Sequence, residues 1–177
     1  MTPQRTLDAP RTTGNAQPVT KIGHWIGGQI RPGASGRSAP VFNPASGVQS
    51  GEVAFASADE VDDAVRVAKE AFVTWGDLGL GRRTTILFRF RELVSKHADD
   101  LARLITREHG KVFSDAKGEV QRGLEVVEFA CGIPQLIKGE FSQNVSSNVD
   151  SYSIRQPLGV VAGITPFNFP VMVPMWM

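Results

Sequence analysis

Asn168 is the residue best placed to do chemistry. It stands between Phe167 and Phe169 in the run Thr165-Pro166-Phe167-Asn168-Phe169-Pro170. A carboxamide held rigidly beyond the end of a strand can donate a hydrogen bond to an oxyanion that develops during reaction. By residue type alone, an asparagine among prolines is more often a turn former than a catalyst. Arg122 is the second candidate, because a guanidinium can grip a carboxylate through two parallel hydrogen bonds. It falls about 200° around a helix from Val120, off the apolar stripe, with Glu119 and Glu125 three residues away on either side. A solvated, ion-paired arginine fits that pattern as well. Cys131 lies four residues after Val127 on the stripe, with no histidine or helix N-terminus to lower its pKa. It reads as a small buried hydrophobe and not as a nucleophile. His24, His97 and His109 lack metal-ligand spacing, so no metal site is expected.

The elements that must position Asn168 lie on either side of it. Leu158–Ile164 is an apolar, β-branched run without alternation, the pattern of a strand buried on both faces of a parallel sheet. Pro166 and Pro170 cannot extend it. Val171–Met177 is again apolar, with Pro170 suited to the first turn of a helix. Strand, tight loop and helix together predict the opening unit of a doubly wound nucleotide-binding domain, whose ligands lie beyond the carboxyl ends of the strands. The usual dinucleotide fingerprint does not apply, since Gly159 and Gly163 fall within the strand and open no helix.

Upstream, His24–Ile26 and Gln29–Ile30 flank Gly27-Gly28 as a hairpin. Short strands are predicted at Pro40–Phe42 and Gly51–Ala56, joined by the turn residues Asn43 to Gly47. Ser57 and Glu60 have capping-box spacing before a helix with Val61, Val65, Ala68, Phe72 and Trp75 on one face. Gly76, Gly79 and Gly81 break it. A second helix carries Ile86, Phe90, Leu93 and Val94, and a third carries Leu101, Leu104 and Ile105 and closes at Gly110. A fourth, with Ser114 as its cap, bears the stripe Val120, Leu124, Val127 and Cys131 and frays at Pro134. Phe141 to Ile154 reads as an exposed hairpin arm. The fold class is therefore α/β.

With 19 Lys and Arg against 18 Asp and Glu, the net charge of +1 offers no field for nucleic acid or an anionic membrane. A hydrophobic content of 41% with 21% charged residues is that of a globular chain. No apolar run reaches membrane-spanning length. The single cysteine precludes an internal disulfide and fits a reducing cytoplasm. Residues 1–20, rich in Thr, Pro and Gln with no apolar core, are expected to be a disordered tail and not a targeting peptide.

Thr165–Pro170 after an Ile-ending strand resembles the Pro-(Trp/Phe)-Asn-Phe-Pro motif of the aldehyde dehydrogenase superfamily. Phe167 in the Trp position is similar to the methylmalonate-semialdehyde dehydrogenase branch, as are Gly110-Lys111, the segment Glu119 to Glu128, and Pro174-Met175-Trp176-Met177. The similarity runs in register from about Ile22 to Met177. It implies residues 21–139 as the N-terminal part of an NAD-binding domain, 140–157 as an oligomerisation arm, and 158–177 as the first strand, loop and helix of a Rossmann-like core. It implies NAD as cofactor and CoA as co-substrate, with a semialdehyde oxidised through a cysteine thiohemiacetal and thioester to acyl-CoA. Asn168 would stabilise the oxyanion, backbone groups of Thr165 and Phe167 would touch the nicotinamide ribose side of NAD, and Arg122 would hold the substrate carboxylate. A cytoplasmic homo-oligomer, dimer or tetramer, is implied. The family's chain is far longer. Its nucleophilic cysteine, general-base glutamate and adenosine-ribose residues fall beyond Met177, so an N-terminal portion, inactive in isolation, is expected. A hydrolytic aldehyde dehydrogenase of other specificity, or a non-catalytic interaction subunit, stands as the alternative.

Overall fold

Residues 18–177 are described by a computed structural model. The expected tail, 1–20, lies outside the described residues except for its last three, and Thr20 already opens a strand. That strand, β1 (Thr20–Ile22), is followed by the hairpin β2 (His24–Ile26) and β3 (Gln29–Arg31), and then by β4 (Ser38–Phe42) and β5 (Gln49–Ala54). β5 lies centrally, parallel to β1 and antiparallel to β4. The β2–β3 turn forms because both of its residues must take positive φ, and Gly27 and Gly28 do so at 63° and 77°. Between β4 and β5, the Asn43 carboxamide oxygen accepts from the N–H groups of Ala45 at 2.9 Å and Ser46 at 3.2 Å.

Both halves of the predicted capping box form at helix α1 (Ala58–Gly76). The Glu60 N–H donates to the Ser57 hydroxyl at 3.2 Å, and the Ser57 N–H donates to the Glu60 carboxylate at 2.9 Å. The apolar face of α1 makes the helix without being buried: no residue of it is enclosed, and Val61, Val65 and Trp75 are exposed. Helices α2 (Leu80–Lys96), α3 (Ala98–His109) and α4 (Phe113–Cys131) follow. Gly81 lies inside α2 and does not break it. Gly110 ends α3 in the left-handed conformation, φ 81°, its N–H bonded to the Thr106 carbonyl at 3.0 Å.

The core is the packing of α2, α3 and α4 around Val94, Ala102, Ile105, Ala116, Val120 and Leu124. Arg91 on α2 reaches Glu128 on α4, and Lys117 on α4 reaches Asp99 on α3, so ion pairs border the apolar layer. The stripe Val120, Leu124, Val127 and Cys131 is buried as its spacing requires. Two local expectations are corrected. Ser114 is not the cap of α4; the helix already includes Phe113, with Val112 at the cap position and no side-chain cap bond. Pro134 does not fray α4 but stands in the first turn of a separate short helix, α5 (Ile133–Leu136).

The arm is a hairpin of β6 (Phe141–Ser146) and β7 (Val149–Tyr152), every residue of it exposed. Its base is tied by the Ser153 N–H to the Glu140 carbonyl at 2.9 Å and by the Glu140 N–H to the Ser153 hydroxyl at 2.9 Å. The chain closes on the short helix α6 (Met172–Trp176), so Pro170 sits in the turn before the helix and not in its first turn.

One larger expectation is overturned. Leu158–Ile164 forms no strand. A parallel strand exists only through ladder bonds to neighbours, and among the described residues nothing pairs with this segment. Its side chains stand in solvent, Leu158 at 94% and Ile164 at 95% exposure. The sequence pattern specifies a segment able to enter a sheet, and the strand itself requires partners.

Candidate oxyanion and carboxylate site

The loop carrying Asn168 is held from below by α4 and by the turn that precedes it. α6 lies directly on α4 because Gly123 has no side chain. A Cβ there would come within 3.3 Å of the Met172 Cα and 2.7 Å of the Met175 sulfur. Met172 is correspondingly buried. This contact places the residues before α6, including Asn168, over the N-terminal half of α4.

Lys111 and Glu119 fasten the loop. Glu119 is fully enclosed, at 0% exposure, on the α4 face it shares with Ala116 and Gly123. One carboxylate oxygen accepts from the Lys111 ammonium at 2.5 Å. The other accepts from the backbone N–H groups of Val171 at 2.8 Å and Met172 at 3.2 Å. These N–H groups belong to the start of α6 and have no partner within that helix. Lys111 also donates to the Asn168 carbonyl at 2.8 Å. Burial raises the Glu119 pKa, but the ammonium and the two N–H donors outweigh it. The group therefore titrates below the ordinary carboxylate range and is ionised at neutral pH.

Phe169 joins the two predicted site residues. The Lys111 ammonium lies 4.5 Å from its ring centroid and the Arg122 guanidinium 5.8 Å from it, both within range of the negative ring face. Arg122 is exposed, as its position off the stripe predicts. Glu119, however, is not its ion-pair partner, being buried and committed to Lys111. Arg122 thus stands on the surface beside Phe169, the neighbour of Asn168.

The remaining sequence candidates divide. The Asn168 side chain is exposed and its backbone is held, so the carboxamide is presented to solvent from a fixed turn. Thr165 is half-buried, while Phe167 is 91% exposed. Neither shares the contacts that link Lys111, Arg122 and Phe169. Cys131 is buried on the α4 stripe, away from this cluster. Sequence reasoning missed Lys111 and Glu119 as site-forming residues. The available signal was a carboxylate three residues after Ala116 and four before Gly123, on a helix face otherwise small and apolar.

Residues 30–177 match the model of the aldehyde dehydrogenase family. Malonate-semialdehyde dehydrogenase 3 of Geobacillus kaustophilus is 52% identical over 154 residues, covering 87% of this chain and 32% of its own length. Among solved structures, methylmalonate-semialdehyde dehydrogenase from Oceanimonas doudoroffii superposes with a TM-score of 0.86 at 53% identity, covering 90% of this chain and 32% of the other. A Sinorhizobium meliloti protein assigned as a methylmalonate-semialdehyde dehydrogenase, crystallised with NAD, gives a TM-score of 0.88 at 46% identity, covering 92% and 33%. The chain spans about a third of the length of the relatives it matches.

Proposed function

This chain belongs to the aldehyde dehydrogenase family, and we propose that it forms the N-terminal part of an NAD-dependent, CoA-acylating dehydrogenase of malonate or methylmalonate semialdehyde. The observation that supports the reading is the Arg122 guanidinium 5.8 Å from the ring of Phe169, the chain neighbour of Asn168, whose backbone carbonyl is held by Lys111. Asn168 donates its carboxamide N–H to the oxygen of the aldehyde as that oxygen gains negative charge. Such a donor typically contributes about 2.7–4 kcal/mol to lowering the barrier. Arg122 pairs with the carboxylate at the other end of the substrate, selecting an acid-bearing aldehyde and fixing its direction.

The residues around Asn168 suit NAD. The segment carrying Thr165 and Phe167 pairs in no ladder among the described residues, which leaves its backbone groups open to a ligand. Backbone groups of Thr165 and Phe167 would face the nicotinamide ribose side of NAD. NAD, when bound, supplies the hydride acceptor. CoA as acyl acceptor belongs to the same reading. So does a homo-oligomer joined through the β6–β7 arm, whose outer strand edges are unpaired among the described residues and suited to pairing with another subunit. The unpaired Cys131 suits a reducing, cytoplasmic setting.

The test is Arg122→Ala in a full-length enzyme carrying this segment, assayed on a carboxylated semialdehyde and on an uncharged aldehyde of similar size. Loss of a charge-assisted pair, about 1.5–3 kcal/mol, predicts a roughly tenfold to hundredfold fall in kcat/KM for the carboxylated substrate alone. Equal activity of both forms on the semialdehyde would leave a hydrolytic enzyme of other specificity as the better reading.

A further inference from the structure

We propose that Lys111 and Glu119 act together as positioning residues for Asn168, clamping the backbone at its own carbonyl and again where the turn leaves it. The inference rests on the assignment of Asn168 as oxyanion donor but concerns two residues that this assignment does not involve. Lys111 takes the Asn168 carbonyl itself, at 2.8 Å. Glu119 takes the amides three and four residues further on, Val171 and Met172. Between these anchors the ring of Phe169 lies against the Lys111 ammonium. The turn is therefore fixed at its carbonyl, its ring and its exit amides, all through one ion pair.

A packing role alone does not call for this arrangement. Glu119 is fully enclosed beside Ala116 and Val120, where an apolar side chain of similar volume would fill the space without desolvating a charge. What an apolar residue cannot do is accept the two N–H groups at the start of α6 or orient an ammonium toward Asn168. The carboxylate reaches 52 positions along the chain to Val171, and the ammonium 57 positions to Asn168. A catalytic donor displaced by about an ångström can lose on the order of a hundredfold in rate, so rigid anchoring of this turn has a direct catalytic consequence.

Two variants and two readouts test the clamp. Glu119→Gln keeps the shape and one acceptor but removes the charge. Lys111→Gln, at the partly exposed end of the pair, serves if the first variant does not fold. In the 177-residue chain, amide hydrogen exchange should accelerate about tenfold or more at Val171 and Met172 while Ala102 and Ile105 in α3 stay protected. In a full-length enzyme carrying this segment, kcat for the semialdehyde should fall at least tenfold, with KM for semialdehyde and the Kd of NAD little changed. Acceleration spread equally over α3 would assign the pair to core packing and overturn the proposal. So would faster exchange at Val171 and Met172 with kcat intact. Should the unsubstituted enzyme turn over no semialdehyde, the functional reading fails alone, and the exchange pattern still decides whether the pair holds the turn.

Discussion

Two glycines five positions apart on α4 provide a matched test of how α6 is seated. Gly118 faces open space, with no heavy atom within 4 Å of where a Cβ would stand. Gly118→Ala should therefore stabilise the chain by about 0.5–1 kcal/mol, the ordinary gain from replacing glycine in a helix interior. At Gly123 the same change brings a methyl within 2.7 Å of the Met175 sulfur and 3.3 Å of the Met172 Cα. The sulfur sits on a flexible side chain and can turn away. The Cα is backbone, so α6 itself must retreat by a few tenths of an ångström. Overpacking of this kind costs about 1–3 kcal/mol; set against the same helix gain, a net loss of about 0.5–2 kcal/mol remains. The two variants should then differ by about 1–3 kcal/mol, or several degrees in midpoint for a chain of this size. Urea unfolding followed by far-UV circular dichroism measures both. If Gly123→Ala proves as stable as Gly118→Ala, α6 does not rest on α4 at this glycine, and the seating of the Asn168 loop derived from that contact is wrong.

The remaining predictions concern the ion pair and the arm. Because the folded-state pKa of Glu119 lies below its ordinary value near 4.5, its stabilising contribution is complete above that value and is lost as pH falls through the lower folded pKa. Lys111→Met reverses the sign: burial then dominates and the carboxyl pKa rises. The deficit, about 3 kcal/mol or more at pH 7 for a broken buried pair, should shrink on acidification, and urea melts at pH 7 and pH 5 would show no such narrowing if Lys111 were not the partner. At the foot of the arm, a Cβ on Gly139 would stand 1.8 Å from the Ser153 carbonyl oxygen, so Gly139→Ala should open the β6–β7 hairpin while leaving α2–α4 intact. Loss of the Ser153 amide's protection from hydrogen exchange, with Ile105 unchanged, is the expected result.

Most features that depend on residues within a turn or two were legible in the sequence, the Ser114 cap and the fraying at Pro134 being exceptions. The Ser57–Glu60 box, the Gly27-Gly28 hairpin turn, the left-handed Gly110 and the buried stripe from Val120 to Cys131 all formed as their spacing requires. These are local consequences of capping geometry, positive φ and a 3.6-residue period. The larger failures came where structure needs a distant partner. The apolar run Leu158–Ile164 carries the composition of a buried strand but has no strand to pair with among the described residues, and the face of α1 is periodic yet buries no residue fully there. Periodicity shows which face a segment would bury and is silent on what covers it.

The same limit explains the site. Asn168 and Arg122 could be singled out because amide and guanidinium chemistry is visible in residue type. Glu119 reads in one dimension only as a neighbour that could pair with Arg122 on the surface, since three-residue helix spacing is the relation between these charges that the sequence displays. Its actual partners lie 8 residues back at Lys111 and 52 residues ahead at Val171. Yet the sequence did restrict the answer. A carboxylate set between Ala116 and Gly123 on a face of small residues cannot stay in water if anything packs there, and an enclosed carboxylate must find a cation or amide donors. Gly123 guarantees close packing and α6 supplies two N–H groups without helical partners, so the only missing element is a cation within reach. Lys111, just after the glycine that ends α3, meets that requirement. A charged residue on a small-residue helix face is thus better read as a demand for partners than as a surface position.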